Sequence, residues 1–164
     1  MRGRMPQHEL YDVTGVLHVH SVYSDGTGTV GQIAAAARRN GLDFVLLTDH
    51  DTLAAKELGE EGWHDSVLVI VGEEVSPIGE NHYLAFDLDH PIRHRGLTPA
   101  EIVQHVNEAG GFGFLSHPFS RGSERFRRAS GMPCRLATRR TRSCRYRPAM
   151  RTTTTICIDG ESLA

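Results

Sequence analysis

Two histidines separated by one residue, His18 and His20, lie in the apolar stretch GVLHVHSVYSDG at residues 15–26. The valines and leucine around them favour a strand, and Gly15 and the Ser-Asp-Gly turn bound it. Alternate side chains of a strand share a face, so we expect both imidazoles to point the same way. Buried together as neutral rings they would leave nitrogens without partners, a cost that a divalent metal ion removes by accepting a lone pair from each ring. The alternative at this point is a pair of hydrogen-bonded histidines at a strand end.

Other polar residues stand at the ends of apolar stretches further along the chain. These residues are Asp49, His50, Asp51, Glu73, Glu74 and His117. His82 instead begins its stretch, NHYLAFDL, so it joins the others only if that strand runs in the opposite direction. Strand alternation lets only one of Glu73 and Glu74 face a metal ion bound by these residues.

The elements that must position these residues alternate between strands and helices. The expected strands cover residues 13–21, 43–51, 66–76, 81–88 and 111–118. Thr29 and Thr98 are predicted to cap two helices, the first running through Arg39, and a short helix is expected around residues 53–63. Strands that are apolar on both faces indicate a parallel sheet covered by helices, an α/β fold. In such folds the chemistry collects at the carboxyl ends of the strands.

The candidate metal ligands form a set of seven nitrogen and oxygen donors. They are His18, His20, Asp25, His50, Glu74, His82 and His117. One ion takes about four to six ligands, so this set suggests two or three ions that share a bridging carboxylate. Closely spaced ions suit phosphate-ester hydrolysis, because they orient the phosphate, activate water near neutral pH and stabilise the leaving oxygen.

The motifs HVHSVYSDG, LLTDHDT, GEEVS, HYLAF and SHP, in this order over about residues 14–119, resemble the polymerase and histidinol phosphatase (PHP) domain family. The resemblance implies a TIM-like, distorted (β/α)7 barrel, of which this chain would hold a part. It also implies a centre of two to three divalent ions (Mn, Fe or Zn) and hydrolysis of phosphate esters by a metal-activated hydroxide. No catalytic side chain is expected beyond the metal-bound water.

The same resemblance assigns roles to individual residues. His18 and His20 would bind one ion, and Asp25 and His50 another. Glu74 would bridge two ions, and His82 and His117 would complete the middle ion with it. Asp49 is expected to orient a neighbouring histidine. Arg121, after SHPFS, is either a ligand for substrate phosphate or a surface arginine of a basic tail.

The chain changes composition near residue 130. Residues 1–120 carry a net charge of −10 and residues 121–164 a net charge of +8, while all ten histidines lie at or before His117. We therefore expect a PHP domain at residues 12–130 and a disordered, Arg-rich C-terminal tail at residues 131–164, which we interpret as a frame shift that truncates the domain. Two ligands of the family's pattern, an aspartate and a histidine in a late Gly-x-Asp-x-His motif, are missing, so impaired activity is expected.

Composition also bounds location and partners. The chain has no run of 18 apolar residues and no apolar signal-peptide core, so a cytoplasmic protein with no membrane span is expected. The expected partner is a small phosphorylated substrate or nucleotide. Two alternatives stay open: a metallohydrolase of non-phosphate esters, and a non-catalytic protein that binds metal or, through its basic tail, nucleic acid.

Overall fold

The computed structural model describes residues 12–117, which form six strands and three helices. The strands are β1 (Gly15–Val19), β2 (Phe44–His50), β3 (Gly62–His64), β4 (Val67–Val75), β5 (Tyr83–Phe86) and β6 (Phe112–Leu115). The helices are α1 (Val30–Arg39), α2 (Ala54–Glu57) and α3 (Pro99–Glu108). The tail predicted at residues 131–164 and Arg121 lie outside the described residues.

The strands form one mixed sheet in the order β1-β2-β4-β5-β6, and β3 pairs with the first part of β4. The neighbours β1, β2 and β4 are parallel, as predicted. The expectation of a wholly parallel sheet is wrong at β5, which runs antiparallel to both β4 and β6. The β4–β5 connection is too short for the crossover of a dozen or more residues that parallel neighbours need, so the chain turns back.

The helix expected around residues 53–63 is also wrong over most of its length. Only Ala54–Glu57 is helical, and Gly62–His64 forms the edge strand β3. Gly59 ends the helix with a positive φ of 76°. A left-handed glycine of this kind is a usual helix stop, and it lies inside the predicted span.

The longer helices α1 and α3 begin where the sequence predicts. Thr29 and Thr98 each accept a hydrogen bond from the backbone N–H three residues on, and Gln32 and Glu101 complete the two capping boxes. The buried positions of α1 and α3, among them Ala34 and Ile102, pack on the convex face of the sheet. The concave face carries a smaller apolar cluster of Phe44, Leu46, Leu84 and Phe86.

The sheet curls strongly toward this concave face. Its edge strands β1 and β6 are separated by three others, which in a flat sheet would place them roughly 19 Å apart. Yet the rings of His18, in β1, and His117, just after β6, have centroids 5.0 Å apart. The described strands therefore form a half-barrel. None of the helices within residues 12–117 is long and apolar enough to cross a membrane.

Candidate metal centre

The carboxylate of Glu74, which is 1% exposed, is the centre of a histidine cluster. Its oxygens lie 3.0–3.4 Å from ring nitrogens of five histidines: His18, His20, His50, His82 and His117. Oε2 lies 3.0 Å from His18 Nε2 and 3.2 Å from His20 Nε2. Oε1 lies 3.1 Å from His82 Nδ1. These six side chains, all of them predicted candidates, are brought together in one place.

The backbone around His18 and His20 departs from the regular strand that the sequence predicts. The register between β1 and β2 shifts between Leu17 and Val19, which marks a bulge, and His18 has a positive φ of 68°. His20 lies just beyond the end of β1. A bulge re-aims a side chain, and here it lets both rings contact the same carboxylate oxygen.

The neighbouring strands supply further donors at the end of the sheet where β2 and β4 finish. His50 and Glu74 are direct register partners on the parallel strands β2 and β4. His82 immediately precedes β5, and because β5 runs antiparallel to β4, its beginning lies beside the end of β4. The reversed strand thus places His82 at the centre even though it begins its strand.

The neighbouring glutamate, Glu73, lies away from this cluster. Its Oε1 accepts a hydrogen bond of 2.6 Å from the backbone N–H of Ile92, and its side chain is fully buried. Burial raises the pKa of Glu73 to about 7, although the Ile92 N–H acts in the opposite direction.

Asp25 lies in the loop that follows β1, and Asp49 lies near the end of β2 and contacts that loop. Asp25 is 3.6 Å from both His20 Nδ1 and His50 Nε2, and its side chain is 70% exposed. Asp49 is buried and accepts hydrogen bonds from the backbone N–H and hydroxyl of Ser21, at 2.7 and 2.6 Å, and from the hydroxyl of Ser24, at 2.5 Å. The Ser24 hydroxyl is 3.5 Å from His20 Nδ1, so Asp49 reaches a histidine through Ser24.

The electrostatics of the cluster favour donors that are free to bind a cation. Burial raises the pKa of Glu74, but hydrogen bonds from His18 and Ser116 and the charges of His18 and His82 outweigh it and hold the value at about 2. Burial lowers the pKa of His20 and of His117. Glu74 is therefore ionised at neutral pH, and burial favours the neutral forms of His20 and His117, in which one ring nitrogen has a lone pair.

The donor set fits divalent metal ions. Three groups have donor atoms that all lie within 4.8 Å of one another: His18–His20–Glu74, His20–Asp25–His50 and His50–Glu74–His82. Donors bound at 2.0–2.1 Å in a tetrahedral site lie roughly 3.4 Å apart, close to the histidine–Glu74 distances. The groups overlap at His20, His50 and Glu74. Of these only the Glu74 carboxylate is suited to bridge two ions, because a neutral imidazole offers a single lone pair.

Several residues around the cluster are not predicted from the sequence. The Ser116 hydroxyl donates to Glu74 Oε1 at 2.7 Å, and the Asn81 amide donates to the backbone carbonyl of Ser116. Ser76 Oγ lies 2.6 Å from His50 Nδ1. The positions of Ser116 and Ser76, each within two residues of a candidate ligand, are the signal that could have indicated them.

Comparison with known proteins identifies one family. The family model described as the PHP domain matches residues 17–161 of the chain. An uncharacterized protein of Methanocaldococcus jannaschii is 30% identical over 119 residues, which cover 63% of this chain and 67% of that protein. The phosphoribosyl 1,2-cyclic phosphate 1,2-diphosphodiesterase of Eggerthella lenta is 44% identical over 64 residues, which cover 37% of this chain and 23% of that enzyme.

Two solved structures are similar in part. A two-domain protein of Bacteroides vulgatus, which contains a predicted PHP-like metal-dependent phosphoesterase, is 21% identical with a TM-score of 0.47 over 76% of this chain and 42% of its own. A protein of Bifidobacterium adolescentis, proposed to be a metal-dependent phosphoesterase, is 28% identical with a TM-score of 0.38 over 61% of this chain and 34% of its own. The chain spans less than half the length of either structure.

Proposed function

Because the chain belongs to the PHP domain family, we propose that it is a hydrolase that cleaves phosphate esters with divalent metal ions held around Glu74. The observation that carries the proposal is the convergence of five imidazoles on one buried carboxylate. Two or three ions (Mn, Fe or Zn) would be held by His18, His20, Asp25, His50, Glu74, His82 and His117.

Each part of the chain has a distinct task in this proposal. When bound, divalent ions would supply positive charge for the phosphate and would make water more acidic. Glu74 would be the carboxylate that neighbouring ions share, and Ser116 fixes its Oε1 by a hydrogen bond. The five histidines come from β1 and the loop after it, from the end of β2, from just before β5 and from just after β6. These places meet around Glu74 at one end of the sheet. Asp49 holds that loop through Ser21 and Ser24.

The proposed substrate is a small phosphorylated molecule or a nucleotide. The name of the Eggerthella lenta relative, a cyclic phosphate diphosphodiesterase, supports a phosphate ester over a carboxylic ester. A phosphate contact by Arg121, a domain at residues 12–130 with a frame-shifted tail, impaired turnover and a cytoplasmic location all stay predictions.

Turnover of p-nitrophenyl phosphate with added Mn²⁺ tests this function. We expect measurable hydrolysis that EDTA abolishes and that falls at least about 100-fold in His20→Ala, because an imidazole of the centre is lost. His64→Ala is the matched control, since His64 contacts the Glu60 carbonyl outside the cluster. Equal loss in both variants would contradict the assignment of the centre, and faster cleavage of p-nitrophenyl acetate would favour a metallohydrolase of non-phosphate esters.

A further inference from the structure

A cavity of about 910 Å³ opens beside the candidate metal centre. Its walls are the β4–β5 connection, the segment from Ile92 to the start of α3, and Asp51. Ligand-binding pockets are typically 300–1,000 Å³, so this space is large enough for a nucleotide-sized molecule. None of the candidate metal ligands is part of its lining.

A chain of contacts connects this cavity with the centre. Asp51 follows the candidate ligand His50 directly in sequence, and its Oδ1 accepts a 2.8 Å hydrogen bond from the backbone N–H of Ser76. Ser76 Oγ contacts His50 Nδ1 at 2.6 Å. On the cavity side, the same Asp51 oxygen lies 3.0 Å from His94 Nε2. The cavity therefore adjoins the candidate metal centre, and a molecule that lies in it is close to the candidate ligand His50.

Two arginines give the cavity its recognition chemistry. Arg93 and Arg95 both line it, both are exposed, and neither has a salt bridge or hydrogen bond within residues 12–117. The only arginine ion pair in that part of the chain is Arg38–Asp65, on another surface. The acidic lining residues are Glu80 and Asp51, and Asp51 is engaged by Ser76 and His94. Guanidinium groups with no acidic partner are suited to phosphate or carboxylate oxygens.

Much of the remaining wall is apolar. Ile78 is fully exposed, and Ile92, Leu97, Pro77 and Pro99 form the adjacent surface. An exposed isoleucine next to unpaired arginines suits a ligand that has both an anionic group and an apolar or aromatic body.

We propose that this cavity binds the part of the substrate that does not react: an anionic group on Arg93 and Arg95, and an apolar body against Ile78 and Leu97. That the bound molecule is the substrate rests on the proposed function. The capacity to bind such a molecule does not, because none of these residues belongs to the metal centre.

The test is calorimetric titration of adenosine 5′-monophosphate into the full chain in EDTA at low ionic strength. Without added metal, binding reports on the cavity and not on the proposed ions. We expect Arg93→Gln/Arg95→Gln to weaken binding at least about tenfold, because two charge-assisted contacts are lost. Arg38→Gln, the matched arginine control, should bind like the wild type. Ile78→Ser should weaken binding of adenosine 5′-monophosphate but not of ribose 5-phosphate.

The outcomes separate the two proposals. Unchanged affinity in Arg93→Gln/Arg95→Gln, or no binding by the wild type at millimolar ligand, would overturn the cavity assignment whatever the enzymatic result. Arginine-dependent binding in a chain that neither binds Mn²⁺ nor cleaves p-nitrophenyl phosphate would support the cavity and refute the proposed function.

Discussion

Glu73 and Glu74 show how one step along a strand separates two chemical environments. Alternate side chains of β4 lie on opposite faces, so Glu74 contacts five histidines, whereas Glu73 is buried against the backbone of Ile92. Their pKa values diverge accordingly, to about 2 for Glu74 and about 7 for Glu73. Similar side chains at neighbouring positions are therefore suited to different tasks.

Replacing each glutamate by glutamine should separate metal binding from packing. Loss of a residue that hydrogen-bonds to a metal ligand weakens metal binding about 10–100-fold. Glu74→Gln should weaken Mn²⁺ binding by more than this, because it removes the shared carboxylate itself. Glu73→Gln keeps the size and site of the side chain but lies outside the cluster, so its Mn²⁺ affinity should stay near that of the wild type. Calorimetric titration with Mn²⁺ measures both, and equal affinity in the two variants would contradict the central role of Glu74.

Glu73 should also make stability depend on pH. Its pKa is 4.5 in the unfolded chain and about 7 in the folded one, so between these values the unfolded state releases a proton that the folded state keeps. The contribution of Glu73 to the free energy of unfolding is therefore greatest below pH 4.5. It falls by up to about 3 kcal/mol as the pH rises through 7.

Urea denaturation in EDTA at several pH values measures this effect as the difference between wild type and Glu73→Gln. As the pH rises from 4.5 to 7, the free energy of unfolding of Glu73→Gln should increase relative to that of the wild type. A difference that is constant over this range would show that Glu73 is not held protonated. Using the difference cancels the contributions of Glu74, His20 and His117, whose lowered pKa values give the opposite pH dependence.

At the scale of elements, two aspartates at opposite ends of β2 connect it to the chain around β1. Asp49 holds the loop after β1 through Ser21 and Ser24. Asp43 accepts a hydrogen bond of 2.7 Å from the backbone N–H of Thr14, just before β1. Only the first of these connections is next to the histidine cluster.

The two aspartates therefore form a matched pair. Asp49→Asn should weaken Mn²⁺ binding by about 10–100-fold, because an NH2 group replaces one of the two acceptor oxygens that hold the loop with His20 and Asp25. Asp43→Asn should leave Mn²⁺ affinity within about twofold, since it acts at the far end of the strand. Comparable losses in the two variants would indicate that Asp49 acts through general stability and not through the loop.

Local signals account for the elements that the sequence predicts well. The capping boxes of Thr29 and Thr98 fix the start of α1 and α3, because they depend only on residues three apart. The direction of β5 follows from the short β4–β5 connection, and β3 pairs with the start of β4 that directly follows it, so both depend on connection length and not on the apolar pattern. The bulge at His18 is a tertiary effect, so strand alternation alone describes its side chain only approximately.

At the scale of the whole molecule, the curl of the sheet leaves part of its concave face open. Phe86 is 1% exposed, whereas its stacked neighbour Phe112 is 55% exposed and Phe114 is 53% exposed. Glu74 and the five histidines around it could be chosen from the sequence because each lies close to the end or the beginning of an apolar stretch. Their convergence on one carboxylate could not, because it requires the curl that brings β1 and β6 together.

The two stacked phenylalanines test how open this face is. Phe86→Ala should lower the free energy of unfolding by about 3–5 kcal/mol, because it leaves a cavity in a closed core. Phe112→Ala should cost less than about 1 kcal/mol, since its ring is already half in water. Urea denaturation measures both values, and a large cost at Phe112 would mean that the concave face is covered in solution.

The closeness of Ser116 and His18, whose side chains are 3.5 Å apart although 98 residues separate them in sequence, has a consequence for the order of folding. The complete donor set exists only after the two edges of the sheet have met, and contacts over such a separation are the slowest to form. Mn²⁺ would then stabilise the native state without stabilising the transition state. In stopped-flow experiments we expect Mn²⁺ to slow unfolding and to leave the refolding rate unchanged.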